Sequence, residues 1–89
     1  MVKVIIPVPL RRFTGNRPEL ELEGGTVREV VENLESAVPG LRGRLLDDRG
    51  RVRRFMAVFL NGNDIGPEGS GTPVEDGDEV ALVPGAAGG

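Results

Sequence analysis

The chain predicts a single α+β roll: one mixed β-sheet with one main helix packed on one of its faces. Three observations point to this. Eighty-nine residues are enough for one domain and no more. Segments of strand character stand at both ends, at 2–8, 19–23, 55–60 and 79–84. Between them lies one segment of helical period, bounded by recognisable start and stop signals at Thr26 and Pro39-Gly40.

Val2 to Val8 reads as the first strand, with Val2, Val4 and Ile6 on one face and Lys3 and Ile5 on the other. Leu10 to Asn16 is a turn that carries Leu10 and Phe13 toward the core, and Thr14-Gly15-Asn16 supplies the reversal. Glu19-Leu20-Glu21-Leu22-Glu23 alternates strictly, so Leu20 and Leu22 point inward from a half-buried second strand. Gly24-Gly25 breaks the chain. Thr26-Val27-Arg28-Glu29 is a capping-box pattern with Thr26 as N-cap and Glu29 at the third helical position. Val27, Val30, Val31 and Leu34 then recur on one side of a helix that ends near Val38. Valine is a weak helix former, and burial of this stripe must outweigh that propensity. Leu41, Leu45 and Leu46 are expected to cover the core as a short helical turn, and Asp47 to Arg53 forms a charged loop.

Phe55 to Leu60 is the strongest strand and is apolar on both faces. Asn61-Gly62 is a turn in which both residues tolerate positive φ. Asn63 to Pro73 is a Gly/Pro-rich connection holding one apolar residue, Ile65. Asp76-Gly77 makes a second tight turn into Glu79–Pro84, the last strand, with Val80 and Leu82 inward. The order β-β-α, a helical turn, then β and β lets the first and last strands lie adjacent and parallel at the sheet centre. That is the β-grasp, or ubiquitin-like, arrangement. Residues 1–84 form this domain, and 85–89 are expected to be a mobile tail.

Composition excludes several functions. With no Cys and no His, there is no disulfide, no thiolate metal site and no imidazole base. No nucleophile–base pair is visible, so an independent enzyme is disfavoured. The net charge of −3 and the lack of Tyr and Trp argue against nucleic-acid binding. No apolar run approaches a membrane span, and the apolar start is too short for a signal peptide. A cytoplasmic protein, monomeric when free, is the expectation. Lys3 is the only lysine beside ten arginines.

The chemistry resides at the end of the chain. Asp76-Gly77-Asp78-Glu79-Val80-Ala81-Leu82-Val83-Pro84, followed by Gly85-Ala86-Ala87-Gly88-Gly89, resembles the end of the MoaD/ThiS sulfur-carrier family. Members finish with an acidic turn, a hydrophobic strand, a proline and a terminal Gly-Gly. Phe59-Leu60-Asn61-Gly62-Asn63-Asp64-Ile65 is similar to the family's preceding strand and turn. Ile6-Pro7-Val8-Pro9-Leu10-Arg11-Arg12-Phe13-Thr14-Gly15 most resembles the branch that donates sulfur for cysteine synthesis.

The resemblance implies that an E1-like enzyme uses ATP to adenylate the Gly89 carboxylate. Sulfur then displaces AMP to give a thiocarboxylate, which a sulfur-accepting biosynthetic enzyme consumes. The pathway served could be that of cysteine, molybdopterin, thiamin or another thiolated metabolite. The protein is then a cosubstrate that binds no cofactor or metal of its own. Gly85, Ala86, Ala87 and Gly88 suit such a reaction independently of the family, because residues with little or no side chain let a backbone pass a narrow channel. A partner patch is expected on the sheet face opposite the helix, at Ile5, Phe55, Ala57 and Phe59. Exposed aromatics are costly for solubility and often mark interfaces.

Other readings stand beside this one. A ubiquitin-like modifier would conjugate to target lysines through the same Gly89, and a scaffold domain would not need Gly89 at all. Glu19, Glu21 and Glu23 are a solvated strand face or, less simply, a metal site. Asp76, Asp78 and Glu79 lack the ordered spacing of a calcium loop. Gly24-Gly25 is a plain turn or an anion site. Arg49, Arg51, Arg53 and Arg54 are a solvated loop or a partner patch.

Overall fold

The computed structural model describes residues 1–54, 56–66 and 69–84. The strands are β1 (Val2–Ile5), β2 (Glu19–Leu22), β3 (Met56–Leu60), β4 (Asn63–Asp64) and β5 (Glu79–Pro84), and the helix α1 spans Val27–Ala37. They form one five-stranded sheet in the order β2-β1-β5-β3-β4. β1 and β5 are parallel neighbours at the centre, and the other pairs are antiparallel. This is the β-grasp arrangement.

The inward face is built by register. Leu20, Val4, Val80 and Leu60 form one row across four strands, and Val58 lies opposite Leu82. Val27, Val30, Val31 and Leu34 of α1 are buried against this face, with Leu41, Leu45 and Leu46 closing the far side. Among the described residues the largest fully buried side chains are all aliphatic; Phe13 packs at the margin of the core. At about 1.5–3 kcal/mol per buried aliphatic side chain, this layer is the main favourable contribution to folding.

The helix starts as its sequence predicts. The Glu29 amide donates to Thr26 Oγ1 at 3.2 Å. The Glu29 carboxylate accepts from Gly25 N at 2.8 Å, one residue earlier than the standard box. That bond occupies the Gly25 N–H, which leaves Gly24-Gly25 a turn rather than an anion site. Gly24 is required for space: a Cβ there would lie 2.7 Å from Val30 Cγ2.

Three expectations change. The first strand ends at Ile5 rather than Val8, because Pro7 has no N–H for the ladder. Val8–Phe13 is instead a 3₁₀ helix, opened by the Leu10 N–H bond to the Pro7 carbonyl at 2.9 Å. Within the 63–73 connection, Asn63–Asp64 adds a short strand β4, and Gly69–Gly71 a 3₁₀ turn. Val74, which the sequence pattern passes over, is buried, with its N–H bonded to the Gly25 carbonyl at 3.0 Å.

Leu41–Leu46 is held by α1. Glu35 Oε2 accepts from both Leu45 N and Leu46 N at 3.0 Å. The following loop is folded on Asp47, whose Oδ1 accepts from Arg49 N and Arg51 N at 2.9 and 3.0 Å. These bonds hold the Asp47 carboxyl below its ordinary range, the Arg51 amide contributing most.

Candidate functional site

Two features of the sheet bear on function: the outward face and the place where β5 ends. Along the outward face one row crosses all five strands, Glu19–Ile5–Ala81–Phe59–Asp64. Ala57 and Val83 are paired one step further toward the end of β5. Ile5, Ala57, Phe59 and Ala81 are half-buried, and Val83 is 41% exposed. The structure therefore gathers Ile5, Ala57 and Phe59 on the face opposite the helix. Phe55, the fourth residue expected there, lies outside the described residues.

Ala81 and Val83 extend the same apolar stripe. Sequence reasoning left them out, although the inward assignment of Val80 and Leu82 implies their outward direction. Charges border the stripe. Lys3 lies 3.9 Å from Glu19 and 3.7 Å from Glu79, a set of exposed pairs that adds little stability. Glu19 and Glu21 thus belong to a solvated, partly paired strand face. Among the described residues no cluster of three or more His, Cys, Asp or Glu could hold a metal ion.

The start of β5 is fixed by its own hydrogen bonds. Asn61 takes positive φ, 50°, in the two-residue turn after β3, with Gly62 at 86°. Its Oδ1 accepts from Glu79 N at 2.9 Å, and its Nδ2 donates to Asp78 Oδ1 at 3.1 Å. Asp78 Oδ2 also accepts from Glu75 N at 2.9 Å. Those bonds, the Glu75 amide first, hold the Asp78 carboxyl below its ordinary range. Asp76 is lowered by the hydrogen bond and charge of the Met1 amino group, 2.6 Å away. Both aspartates of the acidic turn are accounted for by structure.

The other end of β5 is different. Pro84 pairs with Met56, and together with Pro9, Leu10, Arg44 and Arg53 it lines a shallow depression of about 300 Å³. Gly85 to Gly89, the tail singled out by sequence, lies outside the described residues.

Residues 4–89 match the model of the ThiS family. The chain belongs to the ThiS family. The sulfur carrier protein CysO of Mycobacterium tuberculosis is 35% identical over 91 residues, which cover 99% of this chain and 98% of the relative. In the crystal structure of the Amycolatopsis orientalis BexX/CysO complex, the matching chain is 36% identical with a TM-score of 0.87, each chain being covered in full. The solution structure of small archaeal modifier protein 1 from Methanosarcina acetivorans is 32% identical with a TM-score of 0.83, covering 99% of this chain and 95% of that one. The ThiS match and these likenesses support a role as a sulfur carrier or ubiquitin-like modifier, which is that of a small carrier protein rather than a catalyst. The complex shows a relative solved together with a second protein.

Proposed function

We propose that the protein is a sulfur carrier whose working group is the carboxylate of Gly89. One observation supports this most. β5 is a central strand that ends at Pro84, beside the apolar outward stripe, and the sequence then runs Gly85-Ala86-Ala87-Gly88-Gly89. A partner seated on Ile5, Ala57, Phe59 and Val83 would hold the domain by a rigid face while a slim tail enters its active site.

The reaction balances as follows. A Gly89 carboxylate oxygen bonds to the α-phosphorus of ATP and pyrophosphate leaves. Sulfide then attacks the acyl carbon and AMP departs with that oxygen. The product is a thiocarboxylate whose sulfur a second, biosynthetic enzyme removes. ATP is bound and used by an E1-like partner, so this chain needs no cofactor of its own. Such a reaction belongs in the cytoplasm, and the likeness to CysO favours cysteine synthesis as the destination.

The test combines the protein with ATP, sulfide and the E1-like enzyme of its organism, then weighs the intact chain. A gain equal to the exchange of one oxygen for sulfur supports the reading, and an unchanged mass overturns it. The likeness to a small archaeal modifier protein favours a second reading, conjugation through Gly89 to a lysine of a target. That product is a branched peptide, which the same mass analysis of digested cell protein distinguishes.

A further inference from the structure

Six of the eleven Lys and Arg side chains can be contrasted. Lys3, Arg28 and Arg51 each face a carboxylate, at 3.3–3.9 Å. Arg12, Arg44 and Arg53 do not: among the described residues none of the three is in an ion pair. They are nevertheless held in place. Arg44 and Arg12 stack on the Phe13 ring, 4.6 and 4.7 Å from its centroid. Arg44 Nε donates to the Gly40 carbonyl at 2.9 Å, and Arg53 Nε to the Gly43 carbonyl at 2.8 Å. Gly40 makes the stacking possible, since a Cβ there would lie 2.7 Å from Phe13 Cδ1.

An arginine anchored through Nε or by its face still offers two Nη groups. That fork fits a carboxylate in a bidentate manner, and anchoring removes much of the entropy lost on binding. The position of these arginines is equally informative. Arg44 and Arg53 line the depression at the foot of β5, with Pro9, Leu10, Met56 and Pro84. The carboxylates of the acidic turn lie at the other end of the same strand.

We infer that Arg12, Arg44 and Arg53 form a basic collar around the root of the tail, which docks against an acidic rim on the enzyme that admits the tail. The inference rests on the carrier reading above for the identity of that enzyme. It adds a second contact of opposite character to the apolar stripe. The stripe supplies buried area, and the collar sets orientation and association rate. Rim charges act chiefly on association and on its salt dependence.

The experiment measures binding of the chain to the E1-like enzyme of its organism, without ATP, at low and high salt. Arg44→Glu with Arg53→Glu should weaken binding about tenfold at low ionic strength, and the difference should shrink severalfold in about 1 M salt. Arg44→Lys with Arg53→Lys, which keeps the charge and loses the fork, should fall between. Arg28→Glu, on the helix, should bind as the parent chain does. Thermal unfolding checks each fold; should loss of the Phe13 stack unfold the double variant, Arg53→Glu alone retains that stack and should still show a salt-dependent loss. Equal affinity for the reversed and parent chains, or the same loss at both salts, overturns the collar. Sulfur transfer, read by mass, is a separate readout. Arginine-dependent binding without any gain in mass would sink the carrier chemistry and leave the collar standing.

Discussion

Phe59→Asp tests whether the outward stripe is an interface or merely the back of the core. Phe59 stands in the row Glu19–Ile5–Ala81–Phe59–Asp64, so the new carboxylate would face Asp64 across the β3–β4 pair. Like charges directly opposite cost roughly 0.2–1 kcal/mol, and replacing an aromatic by Asp in a strand costs up to about 1 kcal/mol more. The expected loss of stability is therefore about 1–2 kcal/mol, well short of the roughly 3–5 kcal/mol of truncating a core phenylalanine. Binding should suffer more. An aromatic anchor near the centre of an interface contributes about 2 kcal/mol or more, on the order of thirtyfold in affinity. Urea unfolding and binding to the activating enzyme, measured on the same preparations, give both numbers. If the variant lost 4 kcal/mol or more of stability while its folded fraction bound and was thiocarboxylated at the parent rate, Phe59 would be a core residue and the stripe no docking face.

Three further outcomes are expected. Glu35→Ala removes the acceptor shared by Leu45 N and Leu46 N, and should cost about 1–3 kcal/mol, with faster hydrogen exchange at those two amides than in the parent. Asp78 has its carboxyl held below the ordinary value near 3.8, so it contributes stability above that value that is lost as pH falls through the lowered one; Asp78→Asn should flatten the acid limb of a pH–stability curve below about pH 4, and an unchanged limb would contradict the Asn61 and Glu75 assignments. Deleting Gly89 shortens the tail by about 3.3–3.6 Å, adding a residue lengthens it as much, and Gly88→Val stiffens it; since a misplacement near 1 Å costs on the order of a hundredfold, all three should abolish or severely impair thiocarboxylation with the unfolding curve unchanged, and normal transfer by the Gly89 deletion would end the mechanism.

Much of the fold was legible in the sequence because its signals are local. Alternation at Leu20 and Leu22, the Thr26–Glu29 cap and the Asn61-Gly62 turn each act over a few residues, and each appears in the structure. The burial of Met56 and Val58 agrees with the expected placing of Ala57 and Phe59 on the face opposite the helix. What escaped notice depends on distant partners. β4 is two polar residues, with no hydrophobic pattern to reveal it, and exists because Asn61-Gly62 folds the chain back on β3. Val74 has no periodic neighbour and is buried where the Thr26–Pro73 bridge ties its segment to the start of α1. Glu35 looks like one more surface helix residue until the Leu45 and Leu46 amides arrive beneath it. The candidate site divides in the same way. Ile5, Ala57 and Phe59 were readable as one face, whereas anchoring of Arg44 and Arg53 depends on carbonyls in a turn that no period predicts.

A tail can present its end accurately only if its root is fixed, and the topology addresses that requirement. An edge strand is held by one ladder, and chain termini tend to fray. Val80 and Ala81 of β5 pair with both β1 and β3, and Leu82–Pro84 continues the pairing with β3 alone, as far as Met56 opposite Pro84. Val80 and Leu82 bury its inner face, so its last turn of register cannot slip without exposing both. From Pro84, five extended residues reach at most about 18 Å. Under the proposed function, the distance from the docked sheet face to the reacting carbon would be set by two quantities, the β5 register and the number of tail residues. Small side chains between them keep the path narrow without adding a third. Under the proposed function, shifting the β5 register or changing the number of tail residues would move the reacting carbon, whereas a scaffold that did not use Gly89 would tolerate either change.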